Sequence, residues 1–339
     1  MIEIKGITNK KEYAFLNNNK HLGDNIILIG YGGSKAYGTD LPTSDTDIRG
    51  IAARTSYDIC LGNDFETVVD VTTDTTIYSL DKAFELLASC NPNCIEILGL
   101  RDEDYLFVSP LGQAVLNNKQ AFLSNRCIAT FGGYARQQLF RLRQKGLTAL
   151  SEEEYNNHIV KVIKGMNEHL YKVWGITTDQ INVRNTPSGL VIDFAEMKDI
   201  SLECFSGIQS EITNVIRTYT KDSARNEKAL AHSKMNKHAM HLLRLLMMGT
   251  ELLTTGEIHT YREKEHNLLM QVRNGEFEVE NGTLSAEFWD ILNEWETKFN
   301  EAKAHSVLPD NPDYVTINGL KGSINKTIVM TRSSGGCER

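Results

Sequence analysis

The residues best suited to chemistry are a glycine–serine pair, Gly33 and Ser34, and an aspartate pair, Asp45 and Asp47, about a dozen residues later. Glycine lets a backbone approach a ligand closely, and the N–H groups that follow can face an anion. Alternate side chains of an extended segment share a face, so the two carboxylates would repel each other unless a cation lay between them. Mg²⁺ prefers oxygen ligands and keeps positions open for phosphates. The pattern therefore predicts a site for phosphoryl or nucleotidyl transfer.

Two common glycine motifs are excluded by their spacing. A dinucleotide-binding fingerprint that starts at Gly30 would need glycine at position 35, where the chain has Lys35. A Walker loop needs Gly-Lys-Ser/Thr, whereas the order here is Gly-Ser-Lys.

The order Gly33-Ser34, a gap and then Asp45-x-Asp47 resembles the signature of the DNA polymerase beta nucleotidyltransferase superfamily. The wider segments GYGGSKAYGTDLPTSDTDIRGI and LDKAFELLASCNPNCIEILG resemble its bacterial and phage branch of RNA-repair-pathway nucleotidyltransferases. This resemblance implies an α+β fold, in which a nucleotidyltransferase-type mixed β-sheet with helices is followed by a mainly helical C-terminal domain. It also implies that the aspartates are catalytic and bind Mg²⁺ or Mn²⁺, and that Gly33 and Ser34 contact the nucleotide.

Members of this superfamily need a third carboxylate on a strand after the pair. The segment VVDVTTDTTIY, residues 68–78, is rich in β-branched residues and is typical of a strand. It contains Asp70 and Asp74, which share one face because their spacing is even. The resemblance favours Asp74 as the third catalytic and metal-binding residue, since Asp74 stands a few residues before the next predicted helix. Asp70 is the alternative.

Strand and helix signals alternate through residues 1–125, where we expect the catalytic domain. The predicted elements are strands at 26–30, 47–53 and 67–78 and helices at 80–90 and about 94–100. After residue 125 the apolar residues follow a helical period, which predicts a mainly helical domain over residues 126–330. The resemblance implies that this domain binds substrate and NTP. The helices predicted there cover 126–145, 152–173, 227–255 and 285–305, with a loop or small hairpin at 175–189. The tail, residues 331–339, is typical of disorder.

Basic side chains of the helical region are candidates for binding phosphates. Lys237 and Arg244 lie seven residues apart on one helix face. The resemblance implies that a basic residue of this domain contacts the triphosphate, with Lys237 as the first candidate and Arg244 as the second. Arg136 and Arg143 share a face of an earlier helix and could hold an RNA backbone. A solvated face or an interdomain salt bridge is the alternative for each of them.

Composition limits the class of protein. The net charge of −8 argues against nonspecific nucleic-acid binding, although residues 126–145 and 217–244 are locally basic. The six cysteines form no CxxC pair and no zinc-spaced cluster with histidine, which is typical of reduced thiols. No apolar run reaches the roughly 20 residues that a membrane helix needs, and the first residues lack a signal-peptide core. We therefore expect a cytoplasmic enzyme without a membrane partner.

The resemblance implies Mg²⁺-dependent transfer of a nucleoside monophosphate from an NTP, such as ATP, to an acceptor hydroxyl. The first candidate acceptor is an RNA 3′ end, for example that of a tRNA. One alternative is AMP or UMP transfer to a partner protein. The other is an inactive nucleotide- or RNA-binding module, which would be favoured if neither Asp70 nor Asp74 lay beside the aspartate pair.

Overall fold

The chain forms two compact units. The computed structural model describes residues 3–7, 10–147, 233–279 and 283–332, together with short stretches between 160 and 212. The first unit combines Met1–Gln138, Ala239–Phe277 and Ser285–Arg339, and the second combines Leu139–His238 and Glu278–Leu284. The domain boundary expected near residue 125 therefore lies inside the first unit, because two later stretches of the chain also belong to that unit.

A five-stranded mixed sheet belongs to the first unit. Its strands are β1 (Ile26–Tyr31), β2 (Ile48–Ala52), β3 (Thr67–Asp70), β4 (Thr75–Ser79) and β5 (Tyr105–Val108), in the order β3-β4-β2-β1-β5. β2 and β4 are parallel, and the other neighbouring pairs are antiparallel. Because β2 and β4 run in the same direction, the residues that precede them lie side by side at one edge of the sheet.

The apolar side chains of β1 explain its inner position. The strand reads IILIGY and its first five residues are buried, as expected for a strand covered on both faces. The buried core around the sheet also includes side chains from the N-terminal residues. Its members are Ile4, Ile7, Tyr13, Leu16, Leu22, Ile26, Ile29, Ile48, Ala52, Ile77 and Leu106.

Helices begin where the sequence offers a capping side chain. Ser79 accepts from the Lys82 N–H and Ser109 accepts from the Gly112 N–H, at the starts of two helices. The helices of at least eight residues are Leu80–Ala88, Pro110–Asn117, Arg126–Leu147, Ser233–Thr255, His266–Asn274, Ala286–Ala304 and Tyr314–Arg332. Shorter ones are Phe15–Asn18, Gly33–Ala36, Ser56–Leu61 and Pro92–Ile95. Among the described residues, none of these helices is both long and apolar enough to cross a membrane.

The predicted α+β fold with a mixed sheet and C-terminal helices is confirmed, and one predicted strand is wrong. The segment 67–78 is a hairpin of two strands, because Asp70 ends β3 and its carboxylate accepts from Thr73 within the turn. Strand β5 and the helices 110–117, 266–274 and 314–332 are additions to the prediction. The last of these helices runs to Arg332, so the expected disordered tail begins within it and continues beyond the described residues.

Predictions for the central part of the chain are only partly covered. A two-stranded hairpin, Ile181–Thr186 with Gly189–Phe194, overlaps the segment 175–189 where a loop or small hairpin is expected, and extends beyond it. A second short hairpin pairs Glu278–Val279 with Thr283–Leu284. Apart from residue 160, the helix expected at 152–173 lies outside the described residues.

Candidate active site

The backbone of Asp47 is held between the glycine turn and strand β4. The Gly32 N–H donates to the Asp47 carbonyl oxygen at 2.9 Å, and the next N–H, that of Ile48, donates to the Asp74 carbonyl oxygen at 3.1 Å. Strand β2 begins only at Ile48, so Asp45 and Asp47 precede the strand. These two hydrogen bonds place Asp47 beside Gly32 on one side and beside Asp74 on the other.

Gly33 occupies a position where any side chain would force the Asp47 carboxylate to move. Its φ of 56° lies in the left-handed region, and a Cβ at this position would collide with the Oδ2 atom of Asp47. At Gly32 a Cβ would lie 2.9 Å from Arg49 Cγ and 3.2 Å from Glu96 Oε1. The bare backbone of these two glycines therefore forms a wall directly against the Asp47 carboxylate. Ser34 follows in the short helix Gly33–Ala36 and is partly buried.

The structure places Asp74, rather than Asp70, next to Asp47. The parallel register pairs Ile48 with Thr75, so the residues before them are neighbours. Asp74 has a φ of 44° and an exposed side chain at this edge. Asp70 instead serves the β3–β4 turn, where its Oδ1 atom accepts from the Thr73 N–H and hydroxyl at 2.9 Å each.

The positively charged side chain of Arg49 lies between the carboxylates of Asp47 and Asp74. The Nη2 atom of Arg49 is 3.6 Å from Asp47 Oδ1, and its Nη1 atom is 3.6 Å from Asp74 Oδ1. Nη1 also donates to the carbonyl oxygens of Ile48 and Asp74 at 3.0 Å each. The electrostatic repulsion between the two carboxylates is thus offset by a guanidinium group.

The three predicted metal ligands fit a divalent cation in chemistry, because all offer the hard oxygen atoms that Mg²⁺ takes. Their arrangement is not a ready-made cluster. Within the described residues, no three acidic, histidine or cysteine side chains are grouped closely enough to hold a metal ion. Asp45 is exposed and lies two residues before Asp47. A metal ion at Asp47 and Asp74 would also have to share their carboxylates with Arg49.

Glu96 is a buried carboxylate directly beneath the glycine turn. Its side chain is only 5% exposed and lies against Gly32. Burial raises the pKa of Glu96 to about 7, while the charges of Arg244 and Arg49, the Tyr37 hydroxyl and the Gly33 N–H oppose that rise. Such a perturbed carboxyl group next to a candidate site is typical of functional residues.

Arg244 is packed against the same turn through an aromatic ring. Its guanidinium carbon lies 3.5 Å from the centroid of Tyr37, and its Nη2 atom is 2.8 Å from His241 Nδ1. Tyr37 is 2% exposed and Arg244 is 7% exposed. The contact of Arg244 with the triphosphate stays a prediction, and in this structure its guanidinium is buried against the ring of Tyr37.

Two of the other predicted basic residues have exposed side chains. Arg136 is exposed on the helix Arg126–Leu147. Lys237 is exposed near the start of the helix Ser233–Thr255 and belongs to the second compact unit. The side chain of Arg143 lies outside the described residues.

Three residues of the site escape the sequence predictions. Arg49 could have been found, since it lies two residues after Asp47 and an even spacing places both on one face of an extended chain. Glu96 is an acidic residue within an apolar stretch, which is informative because buried acids are rare. Tyr37 carries no such signal, because its role depends on Arg244, which is distant in sequence.

We expect Gly33→Ala to destabilise the protein more than Gly62→Ala. Both glycines have a positive φ, so each alanine carries the left-handed strain of about 1 kcal/mol. A Cβ at Gly62 meets nothing within 4 Å, whereas the one at Gly33 collides with Asp47 and should raise the loss in free energy of unfolding to at least about 2 kcal/mol. Urea unfolding measures both variants, and equal losses would mean that Asp47 moves aside freely.

We expect Glu96→Gln to change how stability depends on pH. The pKa of Glu96 is about 7 in the folded protein and about 4.5 in the unfolded chain. Between these values the unfolded chain releases the proton that the folded protein keeps. The free energy of unfolding of the wild type therefore falls as pH rises from about 4.5 to 7. Relative to Glu96→Gln, the wild type should lose up to about 1.4 kcal/mol per pH unit in that window. The control is Glu263→Gln at an exposed position. Parallel wild-type and Glu96→Gln curves would contradict the prediction.

Comparison with known proteins supports the interpretation of this geometry. No curated protein matches the chain. Residues 7–166 match the model of RlaP, described as the RNA repair pathway DNA polymerase beta family. That range contains the glycine turn, the three aspartates, Arg49 and Glu96. Over residues 7–166, slightly less than half of the chain, this protein is similar to the RNA repair pathway DNA polymerase beta family, and the match supports a nucleotidyltransferase of that superfamily.

Proposed function

We propose that this protein is a Mg²⁺-dependent nucleotidyltransferase that moves a nucleoside monophosphate from an NTP to an acceptor hydroxyl. One observation carries the proposal: Asp47 and Asp74 lie side by side before the first residues of two adjacent strands, and the bare backbone of Gly32 and Gly33 lies against Asp47. Oxygen donors next to a glycine turn suit a metal-bound triphosphate. The family match over this region points to the same reaction class.

The protein's own contribution to this reaction is positioning and charge. Asp47 and Asp74, with the exposed Asp45, supply the carboxylates that would hold the divalent cation. When bound, that ion supplies charge neutralisation for the phosphates and lowers the pKa of the attacking hydroxyl. The turn at Gly33 and Ser34 would place backbone beside the phosphates, and the absence of a Gly33 side chain lets the Asp47 carboxylate lie against this turn. Glu96, Tyr37 and Arg244 support this turn from the buried side.

We propose an RNA hydroxyl as the acceptor, with ATP as the first NTP to test. The support is the family description, which names RNA repair, together with the basic stretch that begins at Arg126. Arg136 is exposed on that helix and is available to a phosphate backbone. Lys237 is also exposed and stays a candidate for the triphosphate.

The carboxylate assignment makes a contrasting prediction for two aspartates of the β3–β4 hairpin. Asp47→Ala and Asp74→Asn should each lower Mg²⁺-dependent nucleotide incorporation at least about a hundredfold, because each removes a charged ligand from the reacting phosphates. Asp70→Asn should retain most of the activity, since its carboxylate serves the turn and asparagine can still accept from Thr73. Incorporation of labelled NTP measures all three variants. Equal loss in Asp70→Asn and Asp74→Asn, or full activity in Asp47→Ala, would contradict the assignment.

The acceptor class is tested by where the label goes. Labelled ATP, CTP, GTP and UTP are incubated separately with the protein, Mg²⁺ and either total RNA or total protein. Label should enter RNA alone, and its entry should fall steeply as salt rises, because phosphate contacts release counterions. Charge reversal of Arg136 and Arg143 together should weaken RNA binding more than NTP binding. Label in the protein fraction would instead establish a protein acceptor, and no label in either would favour an inactive binding module.

A further inference from the structure

Arg49 is tied to the candidate site by more contacts than an ordinary surface ion pair. Its guanidinium lies 3.6 Å from a carboxylate oxygen of Asp47 and 3.6 Å from one of Asp74. It also donates to the carbonyl oxygens of Ile48 and Asp74. Its side chain is 19% exposed, so its charge is partly shielded from water and interacts more strongly than at the surface.

The surrounding backbone restricts the position of the Arg49 side chain. Its Cγ atom lies so close to Gly32 that a Cβ on that glycine would be 2.9 Å away. The two carbonyl hydrogen bonds hold the guanidinium at the starts of β2 and β4. Glu96 lies near enough for the charge of Arg49 to lower the pKa of its carboxyl group. Arg49 is thus held beside the carboxyl groups of Asp47, Asp74 and Glu96.

We propose that Arg49 is the resident counter-ion of the Asp47–Asp74 pair and competes with a divalent cation for their carboxylate oxygens. The inference rests on the proposed function, because it takes these carboxylates as metal ligands. Without the metal, Arg49 offsets the repulsion that the strand register imposes on the two aspartates. When the metal is bound, Arg49 releases the carboxylates and keeps its carbonyl partners. Arg49 is therefore a positioning residue that also weakens metal binding.

The direct test is the affinity for Mn²⁺ alone, without nucleotide, measured by calorimetry and by electron paramagnetic resonance. Arg49→Met removes the competing charge, so its Mn²⁺ dissociation constant should fall roughly tenfold. Arg49→Gln is a second neutral variant that retains a donor for the carbonyls. Arg49→Lys keeps the charge and should bind Mn²⁺ about as the wild type does.

Arg54→Met is the matched control. Arg54 lies two residues after the end of β2, is partly buried and forms an ion pair at 3.3 Å, but its partner is Asp81. Arg54→Met should leave the Mn²⁺ affinity unchanged. A fall in dissociation constant for both arginine variants would show a general effect of net charge and would overturn the proposal.

The rise in unfolding temperature on adding Mn²⁺ is a second measurement, and loss of a purely structural arginine would not enlarge that rise. The neutral Arg49 variants should unfold at a lower temperature than the wild type without metal, and Mn²⁺ should raise their unfolding temperature more than that of the wild type. If Arg49→Met and Arg49→Gln bind Mn²⁺ no more tightly than the wild type, the counter-ion proposal is overturned. It is overturned as well if none of the three proteins binds Mn²⁺.

These outcomes separate the counter-ion proposal from the proposed function. A wild type that incorporates nucleotides, with unchanged Mn²⁺ affinity in the neutral variants, would overturn the role of Arg49 alone. Tighter Mn²⁺ binding by those variants, in a protein that transfers no nucleotide, would support the counter-ion and remove the proposed reaction.

Discussion

The parallel pairing of β2 with β4 is the constraint on which the candidate site depends. Each strand is preceded by an aspartate, and the register that pairs Ile48 with Thr75 brings Asp47 and Asp74 together. An offset of one residue would turn alternate side chains to the opposite face and separate the carboxylates. On the other side of β2, the Gly32 N–H bonds to the Asp47 carbonyl oxygen, which brings the glycine turn to the same point.

This arrangement creates an electrostatic problem that the protein resolves locally. Two carboxylates at neighbouring strand ends repel, and the first unit carries most of the acidic residues of a chain whose net charge is −8. Arg49 offsets that repulsion with a side chain from β2 itself. Arg49 already neutralises part of the negative charge of Asp47 and Asp74. The affinity for a metal ion with its bound phosphates would therefore depend on how strongly Arg49 competes for these carboxylates.

The buried side of the glycine turn also carries polar side chains. Glu96, Tyr37 and Arg244 are all more than nine-tenths buried there, and the ring of Tyr37 lies between the turn and the guanidinium of Arg244. Buried polar groups of this kind are costly unless they are paired, and they restrict the backbone to one arrangement when they are. The conformation of Gly33, which leaves room for the Asp47 carboxylate, is thus supported by residues from two distant parts of the chain.

The sequence by itself determined the apolar strand β1 and the glycine–serine and aspartate segments, because each is encoded by local composition and spacing. The α+β fold class followed from the family resemblance that those segments carry. The sequence left Asp70 and Asp74 as alternatives, since an even spacing puts both on one face of a single strand. Only the tertiary structure showed that a turn separates them and that Asp74 faces β2. Likewise, the positions of Glu96 and Arg244 depend on pairing and packing between segments far apart in the chain. A local pattern of residues does not predict such contacts.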